Sequence, residues 1–212
     1  MLLTVVDYGV GNLRSISKSI EKANSDNNLN YTIKISSDVN DVKKSDKIIL
    51  PGQGSFKACK NGIDNIKGLQ EELNESVLNK KKPVFGICAG MQLFATVGHE
   101  EEKTSGLNWI PGEVIKLDLG PSKLKIPHMG WNELKVKNVS KVFENTINEN
   151  HAYFIHSYEF IPQDKKTISI TANYGKDIIA AVSLGNIFGS QFHPEKSQDT
   201  GIKILTNFLK IK

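Results

Sequence analysis

The 212-residue chain carries one arginine, Arg14, among 27 basic residues. Guanidinium forks are the usual tools for gripping phosphates and nucleic acid, so their scarcity argues against a nucleic-acid reader. The lysines read instead as solubilising surface groups, and against 23 acidic residues they leave a net charge of only +4. Cysteine is also scarce. Cys59 and Cys88 are the only two, too few to staple a secreted fold. The chain meets a charge at Asp7 with no basic segment before it, which is not a secretion signal. Long apolar runs are missing too. The longest uncharged stretches, Pro83–His99 and Ile178–Pro194, contain glycine and polar side chains and fall short of the ~20 apolar residues of a membrane span. No internal repeat or linker is visible, and no His, Cys, Asp and Glu cluster has metal spacing, so no metal or cofactor is expected. The expectation is a soluble, cytoplasmic protein with reduced thiols and no nucleic-acid or membrane partner.

With 39% hydrophobic and 24% charged residues, the composition is globular. Leu2–Val6, Tyr31–Ile35, Lys47–Leu50 and Pro83–Ile87 read as buried strands. Helical patterns fall between them at Asn12–Ala23 and Ser55–Asn79, the latter broken near Gly62 or Gly68, and Met91–Val97 follows as a helix. Continuous apolar strands separated by helices imply a mostly parallel sheet covered on both faces. The second half changes character, with strands expected at Gly112–Leu117, Glu133–Val136, Ala152–Phe160, Thr167–Ala172, Ile178–Leu184 and Asn186–Phe192. Leu184-Gly185-Asn186-Ile187 looks like a hairpin turn, and Thr200–Leu209 like a closing amphipathic helix. The fold class expected is a single α/β domain over 1–212, its central sheet mixed and mostly parallel and its later strands partly antiparallel.

Three segments carry chemistry. In Gly86-Ile87-Cys88-Ala89-Gly90 an apolar strand ends and a helix starts at once. This is the nucleophile-elbow pattern with cysteine in place of serine. A sharp turn strains the middle residue, and its neighbours two positions away must lack Cβ atoms. The thiol would sit at a helix N-terminus, where the dipole favours thiolate, and the Ala89 N–H would point where an oxyanion forms. A structural cysteine beside a tight turn would look the same in isolation. In His193-Pro194-Glu195, proline forces His193 towards an extended conformation, and residues two apart then share a face. Glu195 can therefore orient the imidazole, as a triad requires, although a polar turn at a strand end would also fit. In Leu50-Pro51-Gly52-Gln53-Gly54 the glycines allow close backbone approach to a ligand, and the Gln53 N–H would be a second oxyanion donor. An ordinary strand-to-helix turn is the alternative there. Ligands of such sheets bind beyond the carboxyl ends of the strands, where all three segments are expected.

Together these segments resemble the class I (triad) glutamine amidotransferases. Asp7-Tyr8-Gly9-Val10-Gly11-Asn12 and Pro127-His128-Met129-Gly130-Trp131-Asn132 narrow the likeness to the glutaminase subunits of imidazole glycerol phosphate synthase. The resemblance runs over nearly the whole chain. It implies Cys88 as nucleophile, His193 as general base and acid, and Glu195 as its orienter. It implies Gly52, Gln92, Ser157 and Tyr158 as the glutamine-holding residues, and Asn12, Pro127, His128, Met129, Trp131 and Asn132 at or near a partner interface. The implied partner is a separate (β/α)8-barrel synthase subunit that receives ammonia, since the chain has no room for an acceptor domain. Two positions depart from the family pattern: valine usually stands at Gln53 and often leucine at Ala89. Both oxyanion donors are backbone groups, so neither change removes one. Other readings are a paralogous glutaminase serving a sugar-amidating synthase, a silent scaffold, and a free-standing cysteine hydrolase. His99, His128, His151 and His156 read as structural, with His156 nearest the site, and Cys59 as a buried filler.

Overall fold

The computed structural model describes residues 1–144 and 151–211. The first half alternates β1 (Leu2–Val6), α1 (Leu13–Asp26), β2 (Thr32–Ser36), α2 (Val39–Lys44), β3 (Lys47–Leu50), α3 (Phe56–Asp64), α4 (Leu69–Asn74), a π-helical turn (Glu75–Asn79), β4 (Val84–Ile87) and α5 (Ala89–Gln92). The strand-rich second half holds β5 (Val97–Gly98), β6 (Thr104–Ser105), β7 (Gly112–Lys116), β8 (His128–Val136), β9 (His151–His156), β10 (Tyr158–Pro162), β11 (Ile168–Asn173), β12 (Asp177–Leu184) and β13 (Ile187–Ser190). A 3-10 turn (Pro194–Lys196) and α6 (Gln198–Lys210) close the chain.

Nine strands form one sheet in the order β2-β1-β3-β4-β13-β12-β11-β8-β9. The pairings from β2 to β13 are parallel, and those from β13 to β9 are antiparallel. Strand alternation sorts the apolar side chains onto two faces. Leu3, Val5, Ile49, Phe85 and Ile87 join a core with Ile16 and Ile20 of α1 and Phe208 and Leu209 of α6. Val6, Ile48, Leu50 and Val84 point the other way, onto Phe56, Cys59 and Ile63 of α3 and Leu69 and Leu73 of α4. Each such buried side chain is worth about 1.5–3 kcal/mol. The result is a three-layer sandwich. The second face also carries a smaller sheet, β10-β7-β5-β6.

The parallel half follows the sequence pattern closely. The helical stretch after Ser55 breaks at Gly68, which sits at φ +82°, while Gly62 stays inside α3. Three features differ. The strand expected over Ala152–Phe160 splits at Ser157, because β9 belongs to the large sheet and β10 to the small one. The strand expected at Glu133 begins five residues earlier, at His128, paired residue for residue with β9. The helix expected over Met91–Val97 is the single turn Ala89–Gln92, after which Val97 enters the small sheet.

Candidate active site

Strands β3, β4 and β13 lie side by side and parallel, so their carboxyl ends open on one edge. Each ends in one of the three segments singled out from the sequence. Cys88 follows β4 with φ +54° and ψ −116°, a left-handed backbone that a non-glycine residue adopts at a cost of about 1–3 kcal/mol. Its N–H donates to the Ser190 carbonyl at the end of β13 (2.7 Å), which ties the elbow to the neighbouring strand. Gly90 is required by close approach: a Cβ there would lie 2.0 Å from the Leu50 carbonyl oxygen. A Cβ on Gly52 would lie 2.0 Å from the Gly90 nitrogen. The loop after β3 and the elbow are therefore in backbone contact.

His193 lies just beyond β13, and its Nδ1–H donates to Glu195 Oε1 (2.8 Å). That leaves Nε2 for the sulfur of Cys88, which lines the same cavity. The backbone of His193 is pinned as well. Its N–H donates to the Tyr153 carbonyl (3.0 Å), and its carbonyl accepts from Ser197 Oγ (2.6 Å). The Glu195 side chain is almost wholly buried, and its Oε2 has no partner, so His193 is the carboxylate's one donor among the described residues. Burial works against a charge on His193, but its interactions with Cys88 and Glu195 outweigh it, lifting the imidazole to about 10. The ring is therefore an imidazolium at neutral pH. With α5 only one turn long, this cation rather than an extended helix dipole is the sulfur's main positive neighbour.

The cavity beside the sulfur has a volume of about 340 Å³, and Gln53, Ala89, Gln92, Ser157 and Tyr158 are among its lining residues. Gln92 Nε2 donates to the Tyr158 carbonyl (3.0 Å) and to Gln191 Oε1 (2.9 Å), and Gln191 Nε2 approaches Cys88 Sγ at 3.6 Å. Among the described residues, neither the Ala89 nor the Gln53 N–H has an acceptor. Gly52 does not line the cavity but packs under it. Asn12 is exposed at the start of α1, where its side chain accepts from the Ser15 N–H (3.4 Å). Pro127, Met129 and Trp131 are exposed, Asn132 is half-buried, and His128 is buried behind them rather than on the surface.

Several participants carried no role in the sequence reading. Gln191 stands two residues before His193 on an extended segment, and that shared-face spacing was the available signal. Glu100 and Lys196 also line the cavity. Glu100 accepts from the Phe56 N–H (2.8 Å), and Lys196 Nζ lies 5.6 Å from the centre of the Tyr153 ring. Tyr8 and Cys59, buried below the loop after β3, hold its carbonyls. Tyr8 Oη donates to Pro51 and Cys59 Sγ to Gln53 (3.6 Å). Cys59 is thus more than a filler, and burial pushes its thiol up to about 12, which keeps the S–H donor in place. Among the described residues, no three His, Cys, Asp or Glu side chains are grouped to hold a metal ion, and no helix is long and apolar enough to cross a membrane.

The family description "Glutamine amidotransferase class-I" matches residues 4–211. The chain belongs to that family. The amidotransferase is 49% identical to the "Imidazole glycerol phosphate synthase subunit HisH" of Pelagibacter ubique over 211 residues, all of both chains. It is 42% identical to the protein of the same description from Rhodopseudomonas palustris over 215 residues, again all of both chains. In fold it is similar to the glutaminase domain of Trypanosoma brucei CTPS, solved with bound acivicin. That likeness has a TM-score of 0.68 at 17% identity and covers 100% of this chain and 95% of that one. The mixed α/β architecture is thus that of class-I amidotransferases.

Proposed function

We propose that the chain, read as one amidotransferase domain, is the glutaminase subunit of an imidazole glycerol phosphate synthase in histidine biosynthesis. It hydrolyses glutamine and passes the ammonia to a second subunit. The observation that carries the chemistry is Cys88 on a left-handed elbow, sharing one cavity with an imidazole backed by Glu195. The names of the full-length relatives support the choice of synthase over a sugar-amidating one.

Glutamine lies between Gln92 and the Ser157–Tyr158 segment, and Gly52 supports the loop beneath it. The Cys88 thiolate attacks the side-chain amide carbon and forms a C–S bond. The N–H groups of Ala89 and Gln53 hold the oxyanion. The C–N bond then breaks as His193 gives its Nε2 proton to the departing nitrogen, releasing ammonia. In the thioester the sulfur no longer carries charge, so one of the two influences that raise His193 is gone, and the ring that has given up its proton stays neutral and free to accept another. It takes a proton from water, hydroxide attacks the thioester and the C–S bond breaks, which restores thiolate and imidazolium and frees a γ-carboxyl group that loses its proton to solvent as glutamate leaves. Glu195 keeps Nδ1 protonated throughout.

Free ammonia is mostly protonated in neutral water and then cannot act as a nucleophile, so it must travel sheltered. The partner proposed is a (β/α)8-barrel subunit that adds the ammonia to a phosphoribosylated aminoimidazole-carboxamide substrate. The products are imidazole glycerol phosphate and aminoimidazole carboxamide ribotide. Met129, Trp131 and Ile155 form an exposed apolar patch beside the cavity that suits such a partner. The complex would work in the cytoplasm with both thiols reduced.

The test is glutamate release from glutamine by the chain alone and with the barrel subunit and its ligand. Low release alone and a large rise in the complex are expected; equal rates would contradict the coupled reading.

A further inference from the structure

We propose that His128 is a positioning residue for the glutamine pocket. With His156 it carries a one-way chain of hydrogen bonds from Asn132, on the strand bearing Trp131, to the Tyr158 carbonyl that also holds Gln92. The inference rests on the glutaminase reading of the site.

Every donor in this chain is settled by its neighbours. His156 Nδ1 lies 2.9 Å from the Tyr158 carbonyl, which can only accept, so Nδ1 carries the hydrogen. The ring is kept neutral by burial, which lowers it to about 3, so its Nε2 is an acceptor. His128 Nδ1 lies 3.0 Å from that Nε2 and must be the donor. His128 is also neutral, lowered by burial to about 4, so its Nε2 accepts from Asn132 Nδ2 (3.2 Å). The second hydrogen of that amide goes to the Asn173 carbonyl (2.8 Å). At the far end the Tyr158 carbonyl accepts from both His156 and Gln92, and Gln92 continues through Gln191 to the Cys88 sulfur. One unbroken chain therefore joins Asn132 to the nucleophile.

The sequence explains the placement. Alternation along β8 turns His128 inward and leaves Met129 and Trp131 exposed. His128 pairs with His156, and Met129 with Ile155, so one face of the two strands holds the histidines and the other the apolar patch. His128 also stacks on Phe154, with ring centres 4.6 Å apart, and lies against Tyr174 at 4.0 Å. A partner that shifts β8 moves the acceptor on which Gln92 depends.

Two measurements test this. Nitrogen NMR of the imidazoles in the whole protein should show His128 and His156 both as neutral Nδ1–H tautomers; an Nε2–H tautomer at either ring overturns the proposal. Kinetics in the complex should separate His128→Leu, which removes the donor to His156, from His128→Asn, whose amide nitrogen replaces it. The leucine variant should raise KM for glutamine about tenfold, the worth of one hydrogen bond, with kcat changed less than about threefold. The asparagine variant should restore KM to within about threefold of the parent. Equal KM values in the two variants, or a loss confined to kcat, would overturn the proposal. If the leucine variant fails to fold, the tautomers still decide. If the parent complex releases no glutamate, the functional reading fails while the tautomer result stands by itself.

Discussion

Two buried histidine settings lie in one molecule and behave oppositely. At the end of β13, His193 meets a thiol and a carboxylate and is lifted to about 10. On β8 and β9, His128 and His156 meet an amide, a carbonyl and each other, and burial lowers them to about 4 and 3. Burial disfavours the cation in both places. The acidic partners decide the outcome, so the same side chain is held charged in one region and neutral in the other.

Dismantling the charged half should have the largest effect. Cys88→Ala should lower glutaminase turnover in the complex by about 10⁴-fold or more, because triad members act as a unit. Synthesis supported by added ammonium salt should survive in that variant, and loss of the ammonium-driven reaction would assign Cys88 a structural role instead. Glu195→Ala should cost less, about 10²–10⁴-fold in turnover. It should also lower the pH at which His193 titrates, readable by NMR; an unmoved titration would contradict the account of that charge.

The exposed side of the neutral half predicts a binding effect. Trp131→Ala should weaken association with the proposed synthase partner by about 2 kcal/mol, roughly thirtyfold, measured by calorimetry, with the fold intact. Unchanged affinity would remove Trp131 from the interface.

The smallest effect concerns stability against pH, and its sign differs between the halves. Between the ordinary histidine value of 6.5 and about 10, folded His193 holds a proton that the unfolded chain has lost. Its contribution is therefore full below 6.5 and fades as pH rises through 10. Between about 4 and 6.5 the unfolded chain protonates His128 while the folded protein does not, so stability falls as pH drops through that window. Denaturation curves of His193→Leu and His128→Asn should each lose the slope belonging to that residue, at most one proton per molecule. A parent protein with flat stability over both windows would contradict both assignments.

Much of the charged half was legible in the sequence, because its signals are local. The elbow, the loop after β3 and His193-Pro194-Glu195 each sit within a few residues, and strand periodicity places all three on one edge. The neutral half was less legible. His128 enters a strand only by pairing with β9, and the preceding proline gave no reason to start β8 there. Ser157 divides what reads as one apolar run, because the two parts join different sheets. Strands β5 and β6 are two residues each, too short for any period. Tyr8 reaches the loop after β3 across 43 positions, a contact that no spacing rule announces.

On the proposed reading, one of the two cysteines is activated and the other is not. Cys88 faces an imidazolium in a cavity, while Cys59 is buried and pushed up to about 12. Treating the complex with an electrophilic glutamine analogue and mapping the adduct by peptide mass spectrometry tests it directly. One equivalent on Cys88, none on Cys59 and parallel loss of glutamate release are predicted. Label on Cys59, or full glutaminase turnover with Cys88 wholly modified, would contradict the account.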